Sequence, residues 1–277
     1  MSSHSFLTSA LLALRQSVLA QQPPTARWQV QQIPPAPTPP RGALDIRVRR
    51  AIGAPVFGLA VALAFVMPAA AAGDPQARAN FKQEHASADA RHVADWVVDS
   101  ADNAGLPFII VDKVEAKVFV FEAAGLLRGA SSVLVGMTRG DRSVPGIGSR
   151  QLSTIRPEER TTPAGRFVAA LDRSLGGEEI LWVDYDSGVA LHRVILTVPK
   201  ERRLQRLESA KSSEHRITYG CINVPVAFYE TVVSPAFTGT NGIVYVLPDT
   251  RPVRKVFGSY DVNARQPSPR NQLAGLH

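Results

Sequence analysis

The chain has 277 residues, of which 45% are hydrophobic and 20% charged, and a formal net charge of +7. That length accommodates one or two domains with a sizeable core, and the apolar content is typical of a folded soluble protein rather than a disordered chain. Five of the seven net positive charges lie in residues 1–73, which carry six arginines against one aspartate, so the charge balance does not indicate binding of nucleic acid.

Residues 1–73 are predicted to form a leader. Seven prolines fall within residues 21–40, and this composition predicts a disordered segment because it cannot bury a core. A signal peptide is predicted to follow over residues 47–73. Since a signal that begins so far into a chain is unusual, we expect the native protein to start near Val48.

The signal peptide is predicted from three features in the correct order. A basic run that ends in Arg50 precedes an uncharged stretch of 23 residues from Ala51 to Gly73, in which four alanines stand directly before the final glycine. Cleavage near Ala72 would release the mature chain into the periplasm or the cell envelope. The alternative is an uncleaved anchor in the inner membrane, because 23 uncharged residues can span a bilayer.

A helix is predicted within residues 74–106, from the apolar spacing between Phe81 and Trp96. Val93, Trp96 and Val97 would form the stripe that packs on the following domain. His85 and His92 lie seven residues apart, and metal binding would need further ligands at closer spacing, so we interpret them as surface or packing side chains.

Residues 107–250 are predicted to form a β-rich α+β domain. Short segments rich in β-branched and aromatic residues predict about seven strands, at 108–111, 117–121, 126–135, 166–171, 180–185, 189–198 and 243–247. Residues 141–160 are polar and predict a long surface loop of the kind that often frames a site. Few helices interrupt the strands, which argues against a doubly wound α/β fold, and residues 251–277 are predicted to be a mostly disordered tail.

Cys221 is the only cysteine of the chain. A lone thiol outside the cytoplasm has no internal disulfide partner and is either a reactive group or a small buried hydrophobe. The sequence predicts a glycine turn at Gly220 and then a helix, with Asn223 as its cap, Pro225 in its first turn and an apolar face formed by Phe228, Val232 and Val233. The helix N-terminus would stabilise a thiolate at Cys221.

A nucleophilic cysteine also needs a base, and His192 lies upstream in a predicted strand. Side chains alternate between the two faces of a strand, so His192 shares one face with Ala190 and Val194. A histidine among apolar residues is often structural, so this position alone leaves both interpretations open. His215 is a second candidate base, in a charged loop.

Together these residues resemble the L,D-transpeptidase catalytic domain. The resemblance covers residues 107–250 and depends on the following elements: Thr162-Pro163-x-Gly165-x-Phe167, the strand with His192, Thr218-x-Gly220-Cys221-Ile222-Asn223, the helix after it, and the strand Gly242-Ile243-Val244-Tyr245-Val246. It implies a mixed, sandwich-like β domain and an enzyme that cross-links peptidoglycan, or attaches groups to it, through a cysteine acyl-enzyme.

The resemblance also implies roles for individual residues. Cys221 would attack the stem peptide before its D-alanine, His192 would act as general base and acid, and the backbone carbonyl of Arg193 would orient His192. Oxyanion and substrate contacts would come from Thr218, Tyr219, Gly220 and Asn223. No metal or cofactor is implied.

This chain departs from the family pattern at several positions. Tyr219 stands where a histidine is usual, Arg193 where a glycine is frequent, and Asn223 where many members have arginine. The basic segment Lys200–Arg206 lengthens the interval between His192 and Cys221, and it forms either a solvated helix face or a clamp for stem-peptide carboxylates.

The expected partners are peptidoglycan stem peptides. The sequence leaves open whether the acyl group passes to a stem amine, to water, as in an L,D-carboxypeptidase, or to a protein attached to the wall. A non-catalytic wall-binding domain is the alternative of another class. The sequence does not fix the oligomeric state.

Overall fold

A computed structural model describes residues 77–174 and 176–265. The predicted leader and signal peptide, and the part of the predicted tail beyond residue 265, lie outside these described residues. No helix within them is both long and apolar enough to cross a bilayer.

An eight-stranded mixed sheet is the main feature of the fold, with the strand order β3-β2-β1-β10-β5-β6-β7-β9. Three strand pairs are parallel, namely β1 with β10, β7 with β9, and β4 with β8 in a separate two-stranded sheet. The strands are β1 Phe108–Asp112, β2 Lys117–Phe121, β3 Leu127–Ser132, β4 Val135–Gly136, β5 Gly165–Arg173, β6 Glu179–Asp184, β7 Val189–Arg193, β8 Arg216–Thr218, β9 Ile222–Val224 and β10 Gly242–Val246.

Strand β5 joins the two halves of the sheet. Its first half, as far as Ala169, pairs with β10, and its second half, from Ala170, pairs with β6. One buried cluster contains side chains from both halves, including Ile109 and Val244 from one half and Leu181 and Leu191 from the other. The halves therefore enclose a common core, and the predicted β-rich α+β, sandwich-like class is confirmed.

Helix α1, Ala88–Ser100, covers the other face of the first half. Val93, Trp96 and Val97 are buried against aromatic residues of β1, β2 and β10, as predicted. The helix begins later than the predicted residue 74, because Ser87 caps it by accepting from Ala90 N at 3.1 Å. His85 is exposed, and His92 Nε2 lies 2.9 Å from Ser259 Oγ.

The helical segment after β9 comprises α3 Val226–Phe228, a π-helical turn Tyr229–Val233 and α4 Ser234–Phe237. Phe228, Val232 and Val233 pack on the common core as predicted. Helix α2 spans Arg203–Glu208 and α5 spans Val253–Phe257.

Four further predictions from the sequence are wrong. Strand β7 ends at Arg193, not at Val198, and the predicted strand 126–135 divides into β3 and β4. Asn223 lies in strand β9 instead of capping a helix. The chain stays ordered through α5, where Val253 is 6% exposed, so the expected tail begins later than residue 251.

Candidate active site

The candidate site lies on the face of β6, β7 and β9 that points away from the common core. Leu181, Leu191 and Ile222 point into that core, so strand alternation places their neighbours on the opposite face. Register pairs His192 with Asn223 across the parallel strands β7 and β9. Cys221 directly precedes β9 and lies two residues from Asn223, so the same alternation places its side chain on the face that carries His192.

The His192 ring is held by contacts at both nitrogens. Nδ1 lies 2.8 Å from the carbonyl oxygen of Arg193, which can only accept, so Nδ1 carries the hydrogen. Nε2 lies 3.0 Å from Nδ2 of Asn223. The amide therefore donates to the lone pair on Nε2, and the imidazole is the neutral tautomer protonated at Nδ1.

The surroundings of His192 favour this neutral form. Burial lowers the pKa of His192 to about 4, and the positive charges of Arg203 and Arg193 act in the same direction. The hydrogen bond to the Arg193 carbonyl opposes them. At neutral pH His192 is therefore a neutral imidazole whose Nε2 lone pair accepts from Asn223, not a cation.

Arg193 fixes the end of β7 through its side chain. Its Nε donates to Glu230 Oε1 at 2.5 Å, Nη1 donates to the Glu179 carbonyl at 2.7 Å, and the guanidinium lies 4.1 Å from the centre of the Tyr229 ring. These contacts hold the backbone whose carbonyl orients His192.

The turn before Cys221 is closed by Thr218. Its hydroxyl donates to the Cys221 carbonyl at 2.6 Å and accepts from the Gly220 N–H at 3.2 Å. The Gly220 N–H, expected as an oxyanion donor, is therefore engaged within the turn. Gly220 has φ +131°, and a Cβ there would lie 3.0 Å from the Thr161 carbonyl, so the turn requires glycine.

The half-buried thiol of Cys221 lies 3.8 Å from the carbonyl oxygen of Gly188, in the turn between β6 and β7. A carbonyl acceptor stabilises the protonated thiol rather than the thiolate. Strand β9 separates Cys221 from the helix that begins at Val226, so the expected activation by a helix N-terminus is wrong.

Tyr219 points to the 141–160 loop. Its ring packs with Ile147, Leu152 and Ile155, and the guanidinium of Arg160 lies 3.7 Å from its centre. This loop contains three short 3₁₀ turns and carries its own small apolar cluster beside the Cys221 turn. A Cβ at Gly148 would lie 2.1 Å from the Asp186 carbonyl, so the loop and the β6–β7 turn are in close contact.

One arginine of the basic segment Lys200–Arg206 contacts the candidate site. Arg203 Nη1 donates to Asn223 Oδ1 at 2.7 Å, and Arg203 Nε donates to Glu201 Oε2 at 2.6 Å. Arg206 instead donates to the carbonyls of Glu201 and Glu214. The segment is therefore neither wholly solvated nor a free clamp.

His215 is not arranged as a base. It is 2% exposed, and its two ring nitrogens lie 3.1 Å from the Val133 carbonyl and 3.0 Å from the Ser209 carbonyl. Both nitrogens face backbone acceptors, so the ring links two segments of the fold.

Among residues 77–174 and 176–265, no group of three or more His, Cys, Asp or Glu side chains is arranged to hold a metal ion. The sequence did not single out Gly188 and Arg160, and it marked Glu201 and Arg203 only as members of the segment Lys200–Arg206. The basic composition of the segment that contains Arg203 was the only signal for it, and nothing in its spacing pointed to Asn223.

No protein-family model and no curated protein matches this sequence. The chain is similar to the NMR structure of the catalytic domain from the E. faecium L,D-transpeptidase, with 15% identity and a TM-score of 0.29 over 52% of this chain and 98% of that one. A mutant of the helical cell shape determining protein Pgp2 from Campylobacter jejuni gives 14% identity and a TM-score of 0.35 over 60% of this chain and 58% of that one.

A third similar structure is the L,D-transpeptidase from Xylanimonas cellulosilytica, with 14% identity and a TM-score of 0.31 over 52% of this chain and 61% of that one. The chain thus spans less than two thirds of the Pgp2 and Xylanimonas chains. Overlap and identity this low support no functional argument, which has to come from the residues of this chain.

Proposed function

We propose that the chain is an exported L,D-transpeptidase, in which Cys221 is acylated by a peptidoglycan tetrapeptide stem and passes the acyl group to an acceptor amine. The observation that carries the proposal is a thiol on a glycine turn, on the same sheet face as a neutral histidine oriented by a backbone carbonyl. The sequence resemblance to L,D-transpeptidases supports the same chemistry.

In the acylation step, Nε2 of His192 takes the proton of the Cys221 thiol while Sγ attacks the carbonyl carbon of the third stem residue. The bond to D-alanine then breaks, and His192 returns the proton to the departing amine. The product is a thioester, which an acceptor amine can attack. That amine loses its proton to His192, and Sγ recovers it when the peptide leaves.

The resting hydrogen bonds must change for this step. The thiol donates to Gly188, and the Nε2 lone pair accepts from Asn223. For the proton transfer, the Cys221 thiol has to donate to Nε2 in place of the Gly188 carbonyl, and the Asn223 amide has to give up its hydrogen bond to Nε2. Since Gly220 N–H is engaged by Thr218, the proposed oxyanion donors are the N–H groups of Tyr219 and Cys221.

The test is incubation of the protein with purified disaccharide tetrapeptides, followed by mass spectrometry of the products. We expect loss of D-alanine with formation of cross-linked dimers, no product from Cys221→Ala, and a rate lower by about 100-fold or more for His192→Ala. Trimmed tripeptides without dimers would instead identify water as the acceptor. Unchanged tetrapeptides would contradict the enzymatic proposal and favour a wall-binding domain.

A further inference from the structure

We infer that Glu201 and Arg203, from the segment between β7 and β8, act with Asn223 as a positioning unit that holds His192 as a neutral base and opposes its protonation from solvent. The inference rests on the proposed function in one respect, namely that His192 is the base of the reaction. The unit itself is defined by contacts among described residues.

The positions of the hydrogens follow from what each group can donate. Arg203 has only donors, so the Asn223 atom 2.7 Å from its Nη1 is the amide oxygen. The NH₂ of Asn223 then necessarily faces His192, where it lies 3.0 Å from Nε2. The Arg203 guanidinium thus determines which way the Asn223 amide points.

This arrangement penalises a proton on Nε2. An N–H at that nitrogen would face the NH₂ of Asn223, which sets donor against donor. Rotating the amide would offer its oxygen to His192 but would turn its NH₂ toward the Arg203 guanidinium. Each orientation of the Asn223 amide thus leaves one buried donor facing another donor. The imidazolium therefore has no acceptor at Nε2 that is free of this cost, unless the Cys221 thiolate supplies one.

Other charged groups around the ring add to this effect or offset it. The positive charge of Arg203 also disfavours the imidazolium, and Glu201, 2.6 Å from its Nε, partly neutralises it. On β7 itself, Arg193 is paired with Glu230 at 2.5 Å. Strand β6 presents the apolar Ile180 opposite His192, and the β9 side presents the Cys221 thiol.

Burial and backbone hydrogen bonds hold the three residues of the unit in place, so that they can fix the hydrogen bonding of the His192 ring. Asn223 is 1% exposed, and its backbone bonds with Leu134 in both directions, at 2.8 and 2.9 Å. The side chains of Arg203 and Glu201 are 13% and 24% exposed. Arg206, on the same helix, donates to two backbone carbonyls, one of them that of Glu201, and among the described residues no hydrogen bond joins it to a side chain of the unit. Its substitution is therefore the control for the loss of one positive charge from this helix.

The test is an NMR titration of His192 in the full chain with isotopically labelled histidine, with the signal assigned by its loss in His192→Gln. We expect Arg203→Met to raise the titration midpoint by about one pH unit, and Arg203→Lys to raise it less because the charge is kept. Arg206→Met should leave the midpoint unchanged. A purely structural role of Arg203 would lower thermal stability without moving the His192 midpoint.

Asn223→Asp is the second variant, because it keeps the side-chain shape and does not depend on the folding of Arg203→Met. Its carboxylate can accept from Arg203 and from a protonated Nε2 together, so the midpoint should rise by more than about one unit. Equal midpoints in wild type, Arg203→Met and Asn223→Asp would overturn the inference. Acylation of wild-type Cys221, measured in the same samples, tests the proposed function separately.

Discussion

At the scale of single residues, the hydroxyl of Thr162 connects two backbone segments next to Cys221. It accepts from Gly136 N at 2.8 Å and donates to the Gly220 carbonyl at 2.8 Å, and Thr162 is 1% exposed. Thr162→Val keeps the shape but leaves a buried N–H and a buried carbonyl unpaired. We expect a loss of about 2 kcal/mol in the free energy of unfolding, measured in urea. Thr162→Ser keeps the hydroxyl, and an equal loss in both variants would contradict this account.

The protonation of His192 links stability to pH. The ordinary pKa of 6.5 applies in the unfolded chain and about 4 in the folded protein, so the unfolded state binds more protons between these values. The stabilisation is complete above pH 6.5 and is lost as the pH falls through about 4. We expect the free energy of unfolding to fall by about 3 kcal/mol over this window. Denaturant unfolding between pH 6.5 and about 4 should show this decrease in the free energy of unfolding in wild type and a smaller decrease in His192→Gln. Equal decreases in the two proteins would contradict a contribution from His192 protonation.

Sequence identified some of these residues and missed others for a physical reason. Cys221 and His192 are identified by the motif and the upstream strand that resemble the L,D-transpeptidase domain, since each residue alone leaves a structural interpretation open. The contact between Arg203 and Asn223 is not visible, because it joins residues 20 apart through a turn whose path the sequence does not fix. The sequence predicts a helix start at β9 because Asn favours helix caps and Pro favours the first helical turn, whereas the strand is formed by long-range pairing with β7.

At the scale of elements, a buried ion cluster holds the ends of several strands together. Lys113 lies just after β1 and is 1% exposed, with Nζ at 3.4 Å from Asp141 and 3.3 Å from Asp249. It also donates to the Thr162 carbonyl at 2.8 Å, and Arg216 of β8 donates to Asp249 at 2.6 Å. Burial lowers the pKa of Lys113, and the two carboxylates oppose that shift.

Removing the Lys113 charge should therefore be costly. Lys113→Met would leave buried carboxylates with fewer partners, and we expect a loss of about 3 kcal/mol or more in the free energy of unfolding. Lys117→Met is the control, because its pair with Glu84 is at the surface, with side chains 29% and 44% exposed. That variant should lose at most about 1 kcal/mol. Similar losses in the two variants would show that the buried cluster contributes no more to stability than the surface pair does.

The longer strands followed from composition, but the short strands β8 and β9 and the start of α1 did not. Phe81 fits a helical apolar pattern, yet its ring packs edge-on against Phe119 and Phe121 at 5.2 and 5.0 Å between centroids. Just before it, Asn80 bridges to Leu126 beside β3. An extended segment that covers a sheet can thus match the apolar spacing of a helix, and only Ser87 marks the true beginning.

At the scale of the whole molecule, the sandwich is assembled by contacts between distant parts of the chain. Strand β1 pairs in parallel with β10, so Phe108 lies opposite Ile243. Composition predicted the strands and the β-rich class, but such pairings depend on which apolar faces meet, and local patterns do not encode them. The common core of both halves is what brings β7 and β9 together and so aligns His192 with Asn223.

Export is a separate prediction for the whole chain, and it rests on the sequence of the leader. Expression of the full gene in a Gram-negative host should yield a mature protein that begins near Gly73, as determined by N-terminal sequencing. Ala72→Arg should block cleavage, because the cleavage site requires small residues. A membrane-bound product with an intact leader would instead support the uncleaved anchor.

The most direct test of the central claim is intact-protein mass spectrometry after exposure to a carbapenem, which acylates the cysteine of L,D-transpeptidases, and in parallel to tetrapeptide stems. We expect one covalent adduct per chain with each reagent, located on the Cys221 peptide, absent in Cys221→Ala and formed about 100-fold or more slowly in His192→Ala. An unmodified wild-type chain, or adducts that form equally fast without His192, would contradict the central claim.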